Sequence, residues 1–145
     1  MTYKEKVAWL QRYLKAREKA NFLGGCVQEM EAEAQGMRTR LDGMPGAGRD
    51  TARLARSVEK VEETRKMWND QLDRCGELRI ELVAELAQEI FVQHYTKLAQ
   101  EVLRRRYMNG ESYAEICDAL ALVERRVYQL HRLGVNKVCE PENGG

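Results

Sequence analysis

Residues 107–133 read YMNGESYAEICDALALVERRVYQLHRL, and the spacing of their side chains decides the fold. Asn109-Gly110 marks a turn, with Gly110 suited to the left-handed position that ends a helix. Ser112 then caps the next helix, with Glu115 three residues on as a capping box. A two-helix unit with a short turn needs five apolar anchors where its helices cross. With Ile116 as the fourth residue of the unit, the eighth, tenth, fifteenth and eighteenth are Leu120, Leu122, Val127 and Leu130. The fifth must be small, because the helices approach closely there, and it is Cys117. The pattern predicts a helix-turn-helix, a unit of the size that fits a major groove.

The second helix, starting near Glu124, exposes Glu124, Arg125, Tyr128, Gln129 and Arg132. Arg can bridge guanine O6 and N7, Gln can bridge adenine, Glu can accept from cytosine, and Tyr can touch thymine methyls. These five are the candidate base contacts; an ordinary solvated helix face is the competing reading. Arg104, Arg105, Arg106, Arg126 and Lys137 are candidate phosphate contacts, which position a protein without reading sequence. The Ser112 hydroxyl joins them, although a helix cap suits it better. Three successive arginines point in three directions, so not all reach one duplex. His131 follows an anchor, and partial burial with a hydrogen bond to nearby backbone is expected.

Outward from this unit, His94–Tyr107 reads as a supporting helix with Tyr95, Leu98, Val102, Leu103 and Tyr107 on one face. No breaker separates it from the helix before it, so the two can be continuous. Residues 1–42 carry a helical seam of Trp9, Tyr13, Ala16, Ala20, Leu23, Val27, Met30, Ala34, Met37 and Leu41, alternating by four and three. Gly24 and Gly25 weaken this helix and suggest a kink or a break. Residues 42–50, DGMPGAGRD, read as a loop, with Asp50 or Thr51 capping the next helix. A second seam follows in Leu54, Val58, Val61, Trp68, Leu72, Cys75, Leu82 and Leu86, with Thr64 and Leu78 replacing Arg65 and Arg79 by a small rotation.

Two long helices joined by a short loop favour an antiparallel hairpin. The expected fold is all-α: a long, coiled-coil-like N-terminal hairpin over 1–92 with a linker at 42–50, a helix-turn-helix over 93–139, and a disordered tail at 140–145. A two-helix hairpin has little core of its own. A homodimer would cover its remaining stripe, Tyr3, Val7, Leu10 and Leu14 on the first helix.

Composition limits the function classes. Charged residues are 32% and aromatics 7%, a mix that suits long solvated helices. The net charge of +1 excludes a chain that is basic throughout, but residues 94–139 hold eight Lys/Arg against five Asp/Glu. The cysteines, Cys26, Cys75, Cys117 and Cys139, lack metal-ligand spacing, and His94 and His131 are isolated. No metal or cofactor is expected. Met1–Leu14 carries charges throughout, which speaks against a signal peptide, and no apolar run is long enough for a membrane span. Free thiols in a reducing cytosol are the simplest expectation. The Gly-rich stretch lacks the Lys-Ser/Thr pair of a phosphate loop, and no nucleophile has a recognisable base, so no enzyme is expected.

The stretch VLRRRYMNGESYAEICDALALVERRVYQLH resembles region four of bacterial sigma factors, and is closer to short phage and prophage sigma-like, ArpU-type late-gene transcription regulators. The matching residues are Leu103, Arg104, Arg106, Tyr107, Gly110, Ser112, Tyr113, Glu115, Ile116, Leu120, Val127, Tyr128, Leu130 and His131. The resemblance implies a transcription regulator of a bacterial host cell that binds double-stranded DNA and can contact RNA polymerase. Two residues depart from the family: Ala121 stands where Gly is usual in the turn, and Val123 where Ser or Thr caps the recognition helix. Two other classes share these features. Small terminase subunits of phage packaging also join a helix-turn-helix to oligomerising helices, and a reader that has lost DNA can serve as a protein-interaction module.

Overall fold

The computed structural model describes residues 1–41 and 48–140, all of it helix and connecting turns, with no strand among those residues. Six helices are described: α1 (Tyr3–Leu41), α2 (Gly48–Leu86), α3 (Glu89–Val92), α4 (Lys97–Tyr107), α5 (Tyr113–Leu120) and α6 (Glu124–Lys137). No helix among the described residues is long and apolar enough to cross a membrane. Most of the expected linker, 42–47, and most of the expected tail, 141–145, lie outside the described residues. The helix expected to start at Asp50 or Thr51 is already formed at Gly48.

The chain divides into two compact units, Ala16–Cys75 and Met1–Lys15 together with Gly76–Gly145. This differs from the division at 92/93 drawn from the sequence. The start of α1 carries apolar residues that pack into the same core as the end of α2, α4 and α6.

In the unit Ala16–Cys75, α1 and α2 contact each other with residue numbers rising along one as they fall along the other. Gln71 Nε2 donates to Ala16 O at 3.0 Å, the Trp68 indole lies against Gly24, and Arg65 pairs with Glu31. The first seam holds: Ala16, Ala20, Leu23, Val27 and Ala34 are buried. Gly24 does not break α1. A Cβ there would stand 3.1 Å from Trp68 Cε2, so the glycine makes room for the indole. In the second seam Thr64 does replace Arg65, but Leu72 is 45% exposed and Gln71 turns inward instead. The Gln71 side chain reaches a carbonyl of α1 across that closely packed line, which an aliphatic group could not do.

In the other unit α2 is not continuous with the supporting helix, a point the sequence leaves open. α2 ends at Leu86, α3 makes one turn, and α4 begins at Lys97, leaving His94 and Tyr95 exposed in the turn. No glycine or proline causes this; side chains satisfy the broken backbone. Gln100 Nε2 donates to Leu86 O at 2.6 Å, capturing a carbonyl left open at the end of α2. The fully buried Thr96 hydroxyl lies within donating distance of Ile90 O (2.5 Å) and Gln93 O (3.1 Å). The break swings Phe91 into the core at 0% exposure, a burial that stabilises by about 2–3 kcal/mol. The apolar face of α4 is accordingly Ala99, Val102, Leu103 and Tyr107, while Tyr95 (61%) and Leu98 (45%) face outward.

Two apolar clusters hold this unit. Leu10, Leu82, Leu86, Phe91, Leu103, Tyr107, Val135 and Val138 form one; Ala99, Val102, Ile116, Val127 and Leu130 form the other. Leu10 is completely buried and Val7 packs beside it. Of the stripe expected to await a second copy, Leu10 and Val7 are therefore covered by the chain's own helices, while Tyr3 stays 43% exposed.

Candidate nucleic-acid interface

α5 begins where Ser112 takes up extended backbone and its Oγ accepts from Glu115 N at 3.2 Å. The Glu115 carboxylate accepts from the same hydroxyl (3.2 Å), so half of the expected capping box is formed, with the carboxylate on the Ser112 hydroxyl in place of its N–H. α5 ends at Leu120, and Ala121 adopts the left-handed conformation (φ 54°, ψ 43°) that Gly usually fills. Its N–H and that of Leu122 both donate to Cys117 O, closing the turn. Val123 occupies the N-cap position of α6 with extended backbone, no side-chain cap and 72% exposure.

Of the six core positions read from the sequence, Ile116, Val127 and Leu130 are at most 1% exposed. Cys117, Leu120 and Leu122 pack at the rim of the same cluster, half-buried. α6 lies hard against α4 at Gly134, where a Cβ would come within 2.8 Å of Leu103 Cδ1.

Behind α6, His131 is buried between two tyrosine hydroxyls rather than bonded to backbone as expected. Tyr107 Oη lies 2.6 Å from Nε2 and Tyr3 Oη 3.3 Å from Nδ1. Burial, and then the Arg106 guanidinium, push the imidazole down to about 4, so it is neutral at pH 7. Burial likewise raises the Tyr107 phenol, keeping it protonated. Lys6 Nζ donates to Asn136 O at 2.9 Å, fixing the first turn of α1 to the end of α6.

The outer face of α6 gathers all five candidate base contacts. Glu124, Arg125, Tyr128, Gln129 and Arg132 line one open depression of about 560 Å³. Tyr128 is not a free side chain there. Its hydroxyl donates to Glu124 Oε1 at 2.9 Å, and its ring rests on Tyr113 with centroids 4.7 Å apart. The hydrogen bond to Glu124 raises the Tyr128 phenol.

The candidate phosphate contacts are not equivalent. Arg104 and Arg105 both pair with Glu101 (2.6 and 2.8 Å), and Arg105 also reaches Glu111. The hydrogen bond from Arg104 holds the Glu101 carboxyl below the usual range. Arg106 donates to Glu111 O at 3.0 Å and lies 4.4 Å over the Tyr113 ring. Arg105 and Arg106 thus brace the turn between α4 and α5. Ser112 is engaged as a cap, Arg126 is exposed beside the depression's residues on α6, and Lys137 is half-buried at the end of α6. In the sequence Tyr113 reads only as a residue matching the family pattern, with no part in the site. It touches Arg106, Tyr128 and His131, contacts that an aromatic residue at the first position of a capped helix does not announce.

Among the described residues no group of three or more His, Cys, Asp or Glu side chains could hold a metal ion. No family model, curated protein or solved structure matches the chain.

Proposed function

We propose that α4–α6 is a helix-turn-helix that binds double-stranded DNA, with α6 as the recognition helix, and that the protein is a sigma-like transcription regulator of the phage type. The observation that carries the reading is the convergence of Arg125, Gln129 and Arg132 on the open outer face of α6, with its inner face anchored by Val127 and Leu130. Arg and Gln are the side chains that read guanine and adenine edges in pairs of hydrogen bonds. The long helices α1 and α2 serve in this reading as an antiparallel hairpin for assembly or partner binding. RNA polymerase is the proposed protein partner, on the sigma-like resemblance. A second copy remains a proposed partner of the hairpin, through a face other than the stripe that Leu10 fills.

The test is a binding titration of wild type, Arg125→Ala and Gln129→Ala on a duplex selected from a random pool and on random-sequence duplex. Each variant is expected to lose about 1–3 kcal/mol on the selected duplex and much less on random DNA. Wild-type affinity is expected to fall steeply with salt. Equal losses on both duplexes refute base readout by these residues. One observation favours a second reading, a protein-binding α6: the exposed, uncapped Val123 puts an aliphatic group where a DNA reader carries a polar one. Salt-independent retention of a protein partner without any DNA binding would favour it.

A further inference from the structure

Within the DNA-reading interpretation, on which this inference rests, we propose that Tyr128 is a positioning residue that aims Glu124 at one base, making Glu124 the selector of a cytosine amino group. Three contacts in series carry it. The Arg106 guanidinium sits 4.4 Å over one ring, Tyr113; Tyr113 in turn supports the Tyr128 ring at 4.7 Å; the Tyr128 hydroxyl then holds Glu124 Oε1 at 2.9 Å. Tyr113 is itself fixed from behind, edge-on to the buried His131 at 5.7 Å. The carboxylate at the first turn of α6 is therefore set by a stack that begins on α4 and passes through α5.

A carboxylate in this place has three alternatives. It can swing to the neighbouring Arg125, turn away from the negative phosphates into solvent, or stay beside the groove floor. The Tyr128 hydroxyl, 2.9 Å from Oε1, opposes the first two by keeping the carboxylate on the outer face of α6, the face that meets the groove in this proposal. With Oε1 occupied, Oε2 remains as an acceptor and offers no donor, so it favours a base that presents an amino group in the major groove and disfavours guanine O6 or thymine O4. Cytosine N4 is the usual donor for Glu in this geometry. Tyr128 then does not read a thymine methyl, because its ring is committed to Tyr113 and its hydroxyl to Glu124.

The experiment is a selection of bound sequences from a random duplex pool with wild type, Glu124→Gln and Tyr128→Phe, each checked for an unchanged melting curve. Wild type is expected to enrich cytosine at one position by roughly five- to tenfold, the low end for a single base contact. Glu124→Gln should abolish the preference for cytosine at that position alone, because Gln also donates. Tyr128→Phe keeps the ring on Tyr113 and removes only the hydroxyl, so it should flatten the same position and leave the others intact. An unchanged Tyr128→Phe profile, or a loss spread evenly over all positions, overturns the inference while the DNA reading stands. Failure of wild type to enrich any sequence overturns both.

Discussion

Acid should loosen the unit that carries α6, and His131 is the group responsible. Its imidazole is 7% exposed, and its folded-state value of about 4 lies below the ordinary 6.5. The fold thus favours the neutral ring. The stabilisation is fully present above about pH 6.5 and is lost as pH falls towards 4, where the folded protein begins to take up the proton that the unfolded chain already holds. The difference corresponds to roughly 3 kcal/mol at full protonation of both states. The origin is desolvation and the nearby Arg106 charge more than loss of hydrogen bonds, because the oxygens of Tyr3 and Tyr107 can accept from a doubly protonated ring. Urea titrations between pH 7 and 4.5 read this directly in a Trp68→Phe background. That change leaves Trp9, which packs on the Leu10 cluster of the same unit, as the fluorescent reporter. His131→Gln keeps a polar group for the tyrosines but cannot titrate. It should cost some stability at pH 7 and show a flatter decline towards pH 4.5 than the parent. Parallel declines in parent and variant would mean that carboxylates, not His131, set the acid sensitivity.

Other outcomes follow from single positions. Ala121→Gly should stabilise the unit by about 1 kcal/mol, since φ 54° is strained for any side chain, and Val123→Ser should add a similar amount by supplying the missing cap; both are read as urea midpoints. Gly134→Ala and Gly36→Ala form a matched pair in helix interiors. A Cβ at Gly36 meets open space and should gain about 1 kcal/mol, whereas at Gly134 it meets Leu103 Cδ1 at 2.8 Å and overpacking of about 1–3 kcal/mol should cancel or reverse the gain. Equal midpoint shifts for the two would show that α4 and α6 can separate freely there. In the binding assay, Arg105→Ala should act mainly by lowering stability, because Arg105 is held between Glu101 and Glu111, while Arg126→Ala should weaken binding to all duplexes alike.

The sequence by itself determined that the chain is helical and most of the buried positions on the longer helices. Ile116, Val127 and Leu130 recur at the spacing of crossing helices, and each is at most 1% exposed. The seam from Trp9 to Leu41 was legible because a 3.5-residue repeat over so many turns has no local alternative. Ser112 and Gly110 announced the start of α5 and the turn before it, since their local chemistry is the same in any surroundings.

What covers each face was decided only in three dimensions. Periodicity marks the stripe at Val7 and Leu10 as apolar but cannot say whether a second copy or the end of the same chain will bury it. The break after Leu86 had no local signal. It exists because Gln100, Thr96 and Phe91 together satisfy the opened backbone and fill the core, contacts that form only once α2 and α4 have packed. Tyr113 and Tyr128 read as one face apiece of two short helices. Packing α5 against α6 brings their rings together and, through them, fixes a carboxylate at the first turn of α6, because a side chain's direction depends on neighbours that are distant in sequence.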